Sequence, residues 1–318
     1  MDIRTTFFGK FTYLIICGTL ILPLASCGSS STVAVAAAPP SVDCDSGASI
    51  GNAIITLPPG DTLLVSGTCA EHLVINGATG KFDGITLDGR GTATIRGPDT
   101  TNDTLRLEAV KGVTITGFRI TGGRDGIHSR WSTDVFILNN TIENTGRNGV
   151  QVSRGNWSQI SGNTIQNNPR NGIQVEESTV RIGSINEPPT PLPNIIRNNG
   201  GIGIVVSRAS VARILGNTIA NSTQHGIQVA KMSQADIASN TIDGNGSSGI
   251  QVTQGSGVNL GADTGTGLER TPNSSGTPNV QRGLDCALGG YADGRLGTLS
   301  GNLEATRFTE SCLNSLLP

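Results

Sequence analysis

Alternating apolar and polar residues recur along the middle of the chain, between residues 117 and 261. Five copies of a four-residue motif carry the pattern: Gly149-Val150-Gln151-Val152, Gly172-Ile173-Gln174-Val175, Gly203-Ile204-Val205-Val206, Gly226-Ile227-Gln228-Val229 and Gly249-Ile250-Gln251-Val252. They start 23, 31, 23 and 23 residues apart, and an imperfect copy, Gly126-Ile127-His128-Ser129, precedes them by 23. Successive side chains of a strand point to opposite faces. The motif therefore predicts short strands with the aliphatic residues inward and glutamine outward.

Two further aliphatic series keep nearly the same spacing. They are Ile142, Ile165, Ile196, Ile219 and Ile242, and Ile137, Ile160, Ile214, Ile237 and Leu260, the second interrupted at the coil with the longer interval. One coil has too few aliphatic residues to bury them alone, whereas stacked coils form a continuous apolar column worth roughly 1.5 to 3 kcal/mol per buried side chain. No segment has helical periodicity over ten residues. The series predict three short strands per coil of a parallel β-solenoid.

One asparagine position also repeats, at Asn140, Asn163, Asn194, Asn217 and Asn240. Stacked asparagines can hydrogen bond to one another and to backbone along the axis, and asparagine tolerates the left-handed backbone of a sharp corner. The alternative is a row of amides that binds sugar. Because buried amides need these hydrogen bonds in any case, the sequence favours a structural ladder.

The first residues have the layout of a secretory signal, with Arg4 and Lys10 before an apolar run from Phe11 to Leu22. Leu24-Ala25-Ser26-Cys27 resembles the lipobox of bacterial lipoproteins, which implies a signal peptide over 1–26 and lipidation of Cys27. A tether over 27–43 would follow. Gly28 replaces the acidic retention signal, so we expect an outer-membrane lipoprotein that faces the periplasm or the cell surface. An ordinary cleaved signal is the alternative.

Composition and cysteine count narrow the class of protein. Aromatic residues are 3%, charged residues 14% and the net charge is −2, which argues against a coiled coil, disorder and nucleic-acid binding. Outside the signal and lipobox, four cysteines remain and allow three pairings. We favour Cys44–Cys69 and Cys286–Cys312, which close loops of about 25 residues at the two ends of the array, each worth roughly 3 kcal/mol. A metal site lacks the usual CxxC spacing.

The repeat GNTIxNNxxxGIxV resembles that of the pectin-lyase-like superfamily. The resemblance implies an all-β fold, a single-stranded right-handed parallel β-helix solenoid of about 23 residues per rung with disulfide-stapled end caps. We expect an N-terminal cap and irregular rungs over 44–116, with a short helix between Ser46 and Leu57. Regular repeats would occupy 117–262, and a polar loop and C-terminal capping rung 263–318.

In proteins of this superfamily, long polymers lie along an outward face. Two sets of residues mark such a face here: the outward row His128, Gln151, Gln174, Gln228 and Gln251, and the corner residues Trp131, Arg154, Trp157, Glu177, Arg208 and Lys231. Indole rings stack on sugars, and arginine and lysine bind carboxylates. The insertion Ser184–Pro193 can form a cleft wall or be a tolerated loop. Solvated turn residues are the alternative reading of the corner set.

Catalytic residues are harder to assign. Asp125 and His128 can form an acid–base pair beside Trp131, although Asp125 occupies a turn position that elsewhere holds Asn148, Asn171 and Ser248. Arg154 and Arg208 are candidate bases for a lyase. No carboxylate pair recurs at equivalent positions and the calcium repeat is absent. We expect no cofactor or metal, with Ca²⁺ entering only if the protein is a lyase.

These patterns favour a lipid-anchored protein that binds or organises an extended polysaccharide on its outer face. A polysaccharide lyase, epimerase or hydrolase is the first alternative, and a purely structural envelope protein is the second. The expected partners are the membrane, through the lipid anchor, and a polysaccharide, whereas the oligomeric state is left open.

Overall fold

The computed structural model describes residues 38–155, 157–183, 192–261 and 271–317. The signal peptide, Cys27 and most of the tether lie outside the described residues, as do 184–191 of the insertion and 262–270 of the polar loop. Within the described residues, no helix is long and apolar enough to cross a membrane. The helical structure of these described residues consists of α1 (Ile50–Ala53) and the neighbouring 3₁₀ turns Cys44–Ser46 and Ile54–Thr56.

The remaining regular structure of the described residues is a series of short strands. In chain order they are β1 (Ser41–Asp43), β2 (Thr62–Ser66), β3 (Thr68–Ala70), β4 (Leu73–Asn76), β5 (Thr86–Asp88), β6 (Thr94–Gly97), β7 (Leu105–Glu108), β8 (Thr114–Thr116), β9 (Arg119–Gly122), β10 (Ile127–Arg130), β11 (Phe136–Leu138), β12 (Thr141–Glu143), β13 (Val150–Ser153), β14 (Ser158–Ser161), β15 (Thr164–Gln166), β16 (Ile173–Glu176), β17 (Thr179–Gly183), β18 (Ile195–Arg197), β19 (Ile204–Ser207), β20 (Val211–Leu215), β21 (Thr218–Ala220), β22 (Ile227–Val229), β23 (Gln234–Ala238), β24 (Thr241–Asp243), β25 (Ile250–Val252), β26 (Gly257–Leu260), β27 (Arg282–Cys286), β28 (Tyr291–Arg295), β29 (Glu304–Phe308) and β30 (Leu313–Leu317).

The strands form three parallel sheets that run the length of a right-handed solenoid. The twelve-stranded sheet has the order β1-β2-β5-β8-β11-β14-β17-β20-β23-β26-β28-β30. The ten-stranded sheet has the order β29-β27-β25-β22-β19-β16-β13-β10-β7-β4, and the eight-stranded sheet β24-β21-β18-β15-β12-β9-β6-β3. Each coil contributes in turn to the three sheets, so the predicted all-β parallel solenoid is confirmed.

The predicted aliphatic series meet inside the solenoid. Ile173, Ile204 and Ile227 are register partners on successive strands, and each is fully buried. The series through Ile137 and Ile160 is unbroken, because Ile182 pairs with both Ile160 and Ile214. The insertion therefore follows β17 and leaves the core column continuous. This column of buried aliphatic side chains is the main source of stability.

Hydrogen-bonded ladders stabilise the corners. In the predicted asparagine series, the backbone N–H and the side-chain amide of each residue donate to the side-chain oxygen of the next, from Asn140 through Asn163, Asn194, Asn217 and Asn240 to Asn273. The ladder is buried, which confirms its structural role. A second ladder includes Asn168 with Asn199 and Asn245 with Asn279, and a third consists of Ser178, Ser210, Ser233 and Ser256.

The first coil is covered by the short helix. Ile50, Ile54 and Leu57 are buried, and the Glu71 carboxylate accepts hydrogen bonds from the backbone of Ile50 and Gly51. Within the predicted Ser46–Leu57 segment, only Ile50–Ala53 is α-helical, and the residues Ile54–Thr56 that follow it form a 3₁₀ turn. Disulfide bonds Cys44–Cys69 and Cys286–Cys312 are both present near the ends of the array, as predicted.

Candidate functional site

The outer face of the ten-stranded sheet carries the predicted outward row. His128, Gln151, Gln174, Val205, Gln228 and Gln251 are successive register partners there, and we call them the polar row. The glutamine side chains are ordered by hydrogen bonds: Gln228 donates to Gln251 at 2.6 Å, and Gln174 donates to Glu176 at 3.1 Å. The row is therefore an organised polar surface along the solenoid axis.

A groove follows the polar row where the side chains become small. Val205 replaces glutamine in the coil after the insertion, Ala230 lies beside it, and Gly200 and Gly201 form the adjacent turn. A Cβ atom on Gly200 would lie 2.4 Å from the Pro169 carbonyl oxygen, so only glycine permits this close approach. The resulting depression has a volume of about 660 Å³, within the usual range for ligand sites.

The groove is basic although the whole chain has a net charge of −2. The charged residues among those that line it are Arg170, Arg208 and Lys231 against the single carboxylate of Glu176. Arg208 lies 3.4 Å from Glu176. In the described part of the chain, neither Arg170 nor Lys231 has an acidic partner, and both are exposed. Two cations are therefore available to an anionic ligand.

A second, smaller cavity continues the groove toward the N-terminal coils. Its volume is about 210 Å³, and its lining includes His128, Arg130 and Ser153. It shares Glu176 and Arg208 with the groove, so the two form one surface. From the coil of His128 to that of Gln251 there are five coil spacings, which amounts to roughly 24 Å. The two cavities together are called the groove.

His128 is the most constrained residue of the groove. Its Nδ1 lies 3.0 Å from Oδ2 of Asp103 and its Nε2 lies 3.0 Å from Oγ of Ser153. The sequence predicts Asp125 as the partner of His128, and that pairing is wrong. Nearest polar atoms of Asp125 and His128 are within 4.8 Å, but the hydrogen bond is to Asp103 of the preceding coil. Asp103 is buried and also accepts from Nε of Arg124 at 3.1 Å.

The charge of Asp103 follows from these contacts. Burial disfavours its ionised form, but the hydrogen bond from His128 and the charges of His128 and Arg124 outweigh burial and lower the pKa of Asp103 to about 2. An ionised carboxylate only accepts hydrogen bonds, so Nδ1 of His128 is the donor. In the neutral imidazole, Nε2 then has a free lone pair, and the Ser153 hydroxyl donates to it.

Asp125 has a different partner. Its fully buried carboxylate accepts from Nε of Arg147 at 2.9 Å, from Nη2 of the same guanidinium and from the Asn148 backbone at 3.0 Å. The hydrogen bond with Asp125 outweighs burial and raises the pKa of Arg147. Arg147 Nη2 also donates to Gln151 at 2.6 Å. Asp125 thus holds the arginine that orders the polar row.

Asp103, Asp125 and His128 are close enough together to be compared with a metal site. Ca²⁺ takes six to eight oxygen ligands, whereas this cluster offers two carboxylates and an imidazole. Arg124 and Arg147 already occupy those carboxylates. The cluster therefore does not fit Ca²⁺.

The other predicted site residues lie at the corner that follows the ten-stranded sheet. Trp131, Arg154, Glu177, Arg208 and Lys231 all have the left-handed backbone of a turn. Nε of Arg154 donates to Oε2 of Glu177 at 2.9 Å. The guanidinium carbon of Arg130 lies 3.5 Å from the centre of the Trp131 ring. The ring centre of Trp157 instead lies 5.4 Å from the guanidinium carbon of Arg181, a residue of the twelve-stranded sheet. Neither tryptophan is among the described residues that line the two cavities.

Sequence reasoning missed Asp103, Arg124, Arg147, Ser153 and Arg170. The expectation that no carboxylate pair recurs at equivalent positions is wrong, because Asp103 and Asp125 each lie two residues before the register partners Leu105 and Ile127. Their separation of 22 residues could have revealed this. Ser153 lies two residues after Gln151 on the same strand, which puts its side chain on the outer face. Arg147 likewise lies 22 residues after Asp125, so the coil spacing also places this arginine on the neighbouring coil.

Comparison with known proteins supports the fold. Residues 64–187 and 190–267 match the family described as right handed beta helix region. The alginate lyase from Paenibacillus sp. str. FPU-7 has a similar structure, with 18% sequence identity over 87% of this chain and 98% of the lyase chain and a TM-score of 0.50. No curated protein sequence matches the chain.

Two further solved structures are similar. The A-module of mannuronan C-5 epimerase AlgE4 from Azotobacter vinelandii is 14% identical over 81% of this chain and 87% of the module, with a TM-score of 0.43. Pectate lyase Pel9A is 11% identical over 84% of this chain and 76% of its own, with a TM-score of 0.48. At such identities the likeness concerns the fold.

Proposed function

The chain belongs to the right-handed β-helix family, and from this premise we propose that its groove binds an extended acidic polysaccharide. The observation that carries the proposal is the continuous basic groove, in which Arg170, Arg208 and Lys231 face one carboxylate. Solenoids present extended concave surfaces of this kind, which suit a linear polymer. The structurally similar protein from Paenibacillus is named an alginate lyase. Alginate is therefore the first probe.

The glutamines and the cations have different roles in this proposal. Gln174, Gln228 and Gln251 offer amide donors and acceptors to sugar hydroxyls; Gln174 lies two coils from Gln228, and Gln228 lies one coil from Gln251. Arg208 and Lys231 stand at the corner and meet carboxylates along one side of the polymer. Direct stacking on Trp131 is a lesser contribution, because Arg130 already covers that ring.

We predict that the double substitution Arg208→Ala/Lys231→Ala weakens binding of alginate by roughly 30- to 100-fold, as expected for two lost charge-assisted contacts. Isothermal titration calorimetry measures the change, and added salt should weaken the binding of the unaltered protein. Arg197→Ala is the matched control, because Arg197 is exposed on the eight-stranded sheet. Unchanged affinity of the double variant, or equal loss in the control, would contradict the proposal.

A chain-cleaving or epimerising enzyme is the second candidate. The specific observation that favours it is the buried Asp103–His128 pair, whose imidazole borders the groove. A panel of polysaccharides, scored for unsaturated products by ultraviolet absorbance and for new reducing ends, detects lyase and hydrolase activity. Turnover that disappears in His128→Ala would establish this candidate. Binding without unsaturated products or new reducing ends would exclude the chain-cleaving reactions.

Membrane attachment is also a proposal. It rests on the lipobox-like Leu24-Ala25-Ser26-Cys27, and it places the groove outside the cytoplasm on an outer-membrane lipoprotein. Metabolic labelling with a fatty acid in a Gram-negative host tests it. Label that persists in Cys27→Ser would rule out this anchor.

A further inference from the structure

We infer that Asp103, His128 and Ser153 form a nucleophilic triad that removes ester-linked acyl groups from the polysaccharide in the groove. The substrate class rests on the proposed function, because the polysaccharide is the molecule that would carry the ester. The triad itself rests on the geometry of three side chains from three successive coils.

The hydrogen bonds of the three residues have the direction that nucleophilic catalysis requires. Asp103 accepts from Nδ1 of His128 at 3.0 Å, and Nε2 lies 3.0 Å from Oγ of Ser153, where the neutral imidazole accepts from the hydroxyl. The acid therefore fixes the tautomer whose free lone pair faces the serine. Acid, imidazole and hydroxyl are arranged in the order found in serine hydrolases on unrelated folds.

The surroundings hold this arrangement in place. Asp103 is 4% exposed and is bonded by Arg124 and by the Asp125 backbone N–H at 3.3 Å, so its carboxylate cannot turn away easily. His128 is 7% exposed and lies between the two partners. Ser153 is half-buried and lines the open 210 Å³ cavity, where a substituent of the bound polymer can reach it.

The same cavity contains groups that can stabilise negative charge. Arg130 and Arg154 line it together with Ser153. Their guanidinium groups are donors for an oxyanion that forms on the carbonyl oxygen of an ester. Because Arg154 forms an ion pair with Glu177, Arg130 is the principal candidate for the oxyanion donor.

The reaction needs only ester and water. The Ser153 Oγ attacks the carbonyl carbon, and its proton passes to Nε2 of His128. The tetrahedral intermediate then collapses, the bond between carbonyl carbon and sugar oxygen breaks, and His128 returns the proton to the leaving hydroxyl. Water attacks the acyl-serine, giving a proton to His128. The second collapse releases the carboxylic acid, and Ser153 takes back its proton.

The equivalent positions of the next two coils do not repeat the arrangement. The partners of Ser153 on the next two coils are Glu176 and Ser207, and the partners of His128 are Gln151 and Gln174. An ordinary packing role of the solenoid would not require a histidine and a serine to meet at one place. The chemistry therefore belongs to one place in the groove.

A fluorophosphonate probe tests the nucleophile without any polysaccharide. We expect labelling of the intact protein at Ser153, located by peptide mapping, and hydrolysis of 4-nitrophenyl acetate. Ser153→Ala should abolish the label and lower kcat by at least about 10³-fold. Ser153→Cys keeps a nucleophile and should retain a measurable burst of acyl-enzyme. Ser41→Ala, an exposed serine on β1, is the matched control and should leave both readouts unchanged.

Asp103→Asn tests the positioning residue. It is expected to lower kcat by roughly 10³- to 10⁴-fold while KM stays the same, because the substituted amide favours the wrong tautomer of His128. A purely structural role would instead change the melting temperature and leave kcat nearly intact in the folded fraction. Circular dichroism of each variant separates these outcomes.

Release of acetate from O-acetylated alginate tests the substrate class. Ser153 labelling together with acetate release that Ser153→Ala abolishes supports the whole proposal. Folded protein that binds alginate but neither labels at Ser153 nor hydrolyses either ester overturns the triad and leaves the proposed function intact. Labelling without alginate binding supports the triad and overturns the proposed function.

Discussion

Replacing Asn217 by leucine is expected to lower the free energy of unfolding by about 3 to 6 kcal/mol, since several buried polar groups lose partners worth 1 to 3 kcal/mol each. The Asn217 side chain accepts from the backbone and amide of Asn194 at 3.2 and 2.9 Å. It donates to the carbonyl of Ile182 and to Asn240, both at 3.0 Å. Leucine has the same number of side-chain heavy atoms and the same branching at Cγ, so the substitution removes the hydrogen bonds without leaving a cavity.

Urea unfolding followed by circular dichroism measures this change. Asn302→Leu is the matched control, because Asn302 is exposed, and its effect should stay within about 0.5 kcal/mol. A loss of less than about 1 kcal/mol for Asn217→Leu would mean that the ladder is not needed for stability. The outcome also bears on the other corners, which are built from the same kind of ladder.

Replacing Arg147 by methionine is expected to lower the free energy of unfolding by about 3 kcal/mol, because the fully buried Asp125 carboxylate loses its half-buried cationic partner. Asp125 is fully buried, and the two hydrogen bonds from the guanidinium would be lost, leaving the Asn148 backbone N–H. Methionine keeps most of the apolar stem of arginine, so the packing of the stem is largely retained. The substitution also removes the shorter of two hydrogen bonds to the Gln151 side-chain oxygen and leaves the one from Asn148 Nδ2, which should weaken binding in the groove.

Arg154→Met is the control for this stability measurement. Arg154 and Glu177 are a similar ion pair, but their side chains are 51% and 43% exposed. Such exposed pairs contribute less than about 1 kcal/mol. Equal destabilisation by the two substitutions would contradict the assignment of Asp125 as a buried, arginine-dependent anchor.

The solenoid can be predicted from the sequence because the interval between successive repeats is nearly constant. Ile173, Ile204 and Ile227 recur with the motif glycines, and the structure places them in one column. The corner asparagines recur in the same way. Repetition of one interval therefore indicates both which side chains point inward and which coils are neighbours.

Contacts between irregular coils are not readable in this way. Ile182 lies 22 residues after Ile160, one short of the usual interval, so the third aliphatic series appears broken in the sequence. Asp103 precedes Thr104-Leu105-Arg106-Leu107, which lacks the glycine and glutamine of the repeat. Its contact with His128 depends on side chains that cross between coils. A pattern within one coil suggests Asp125 instead.

The groove could not be predicted from the repeat, because it forms where one coil differs from the others. Val205 stands where neighbouring coils have glutamine, and the glycines before it permit close approach of the preceding turn. A consensus of the repeat does not show such a substitution in a single coil. In the folded chain, small side chains at one coil hollow the surface, and the flanking cations give it a charge.

Titration of defined oligouronates of increasing length tests most directly whether the groove binds an extended acidic polymer. Affinity is predicted to rise with each added unit and to level off near about five units, the number that matches five coil spacings. Arg208→Ala/Lys231→Ala should flatten this rise. Affinity that no longer rises beyond a disaccharide, or that is equal for neutral oligosaccharides of the same length, would contradict the account.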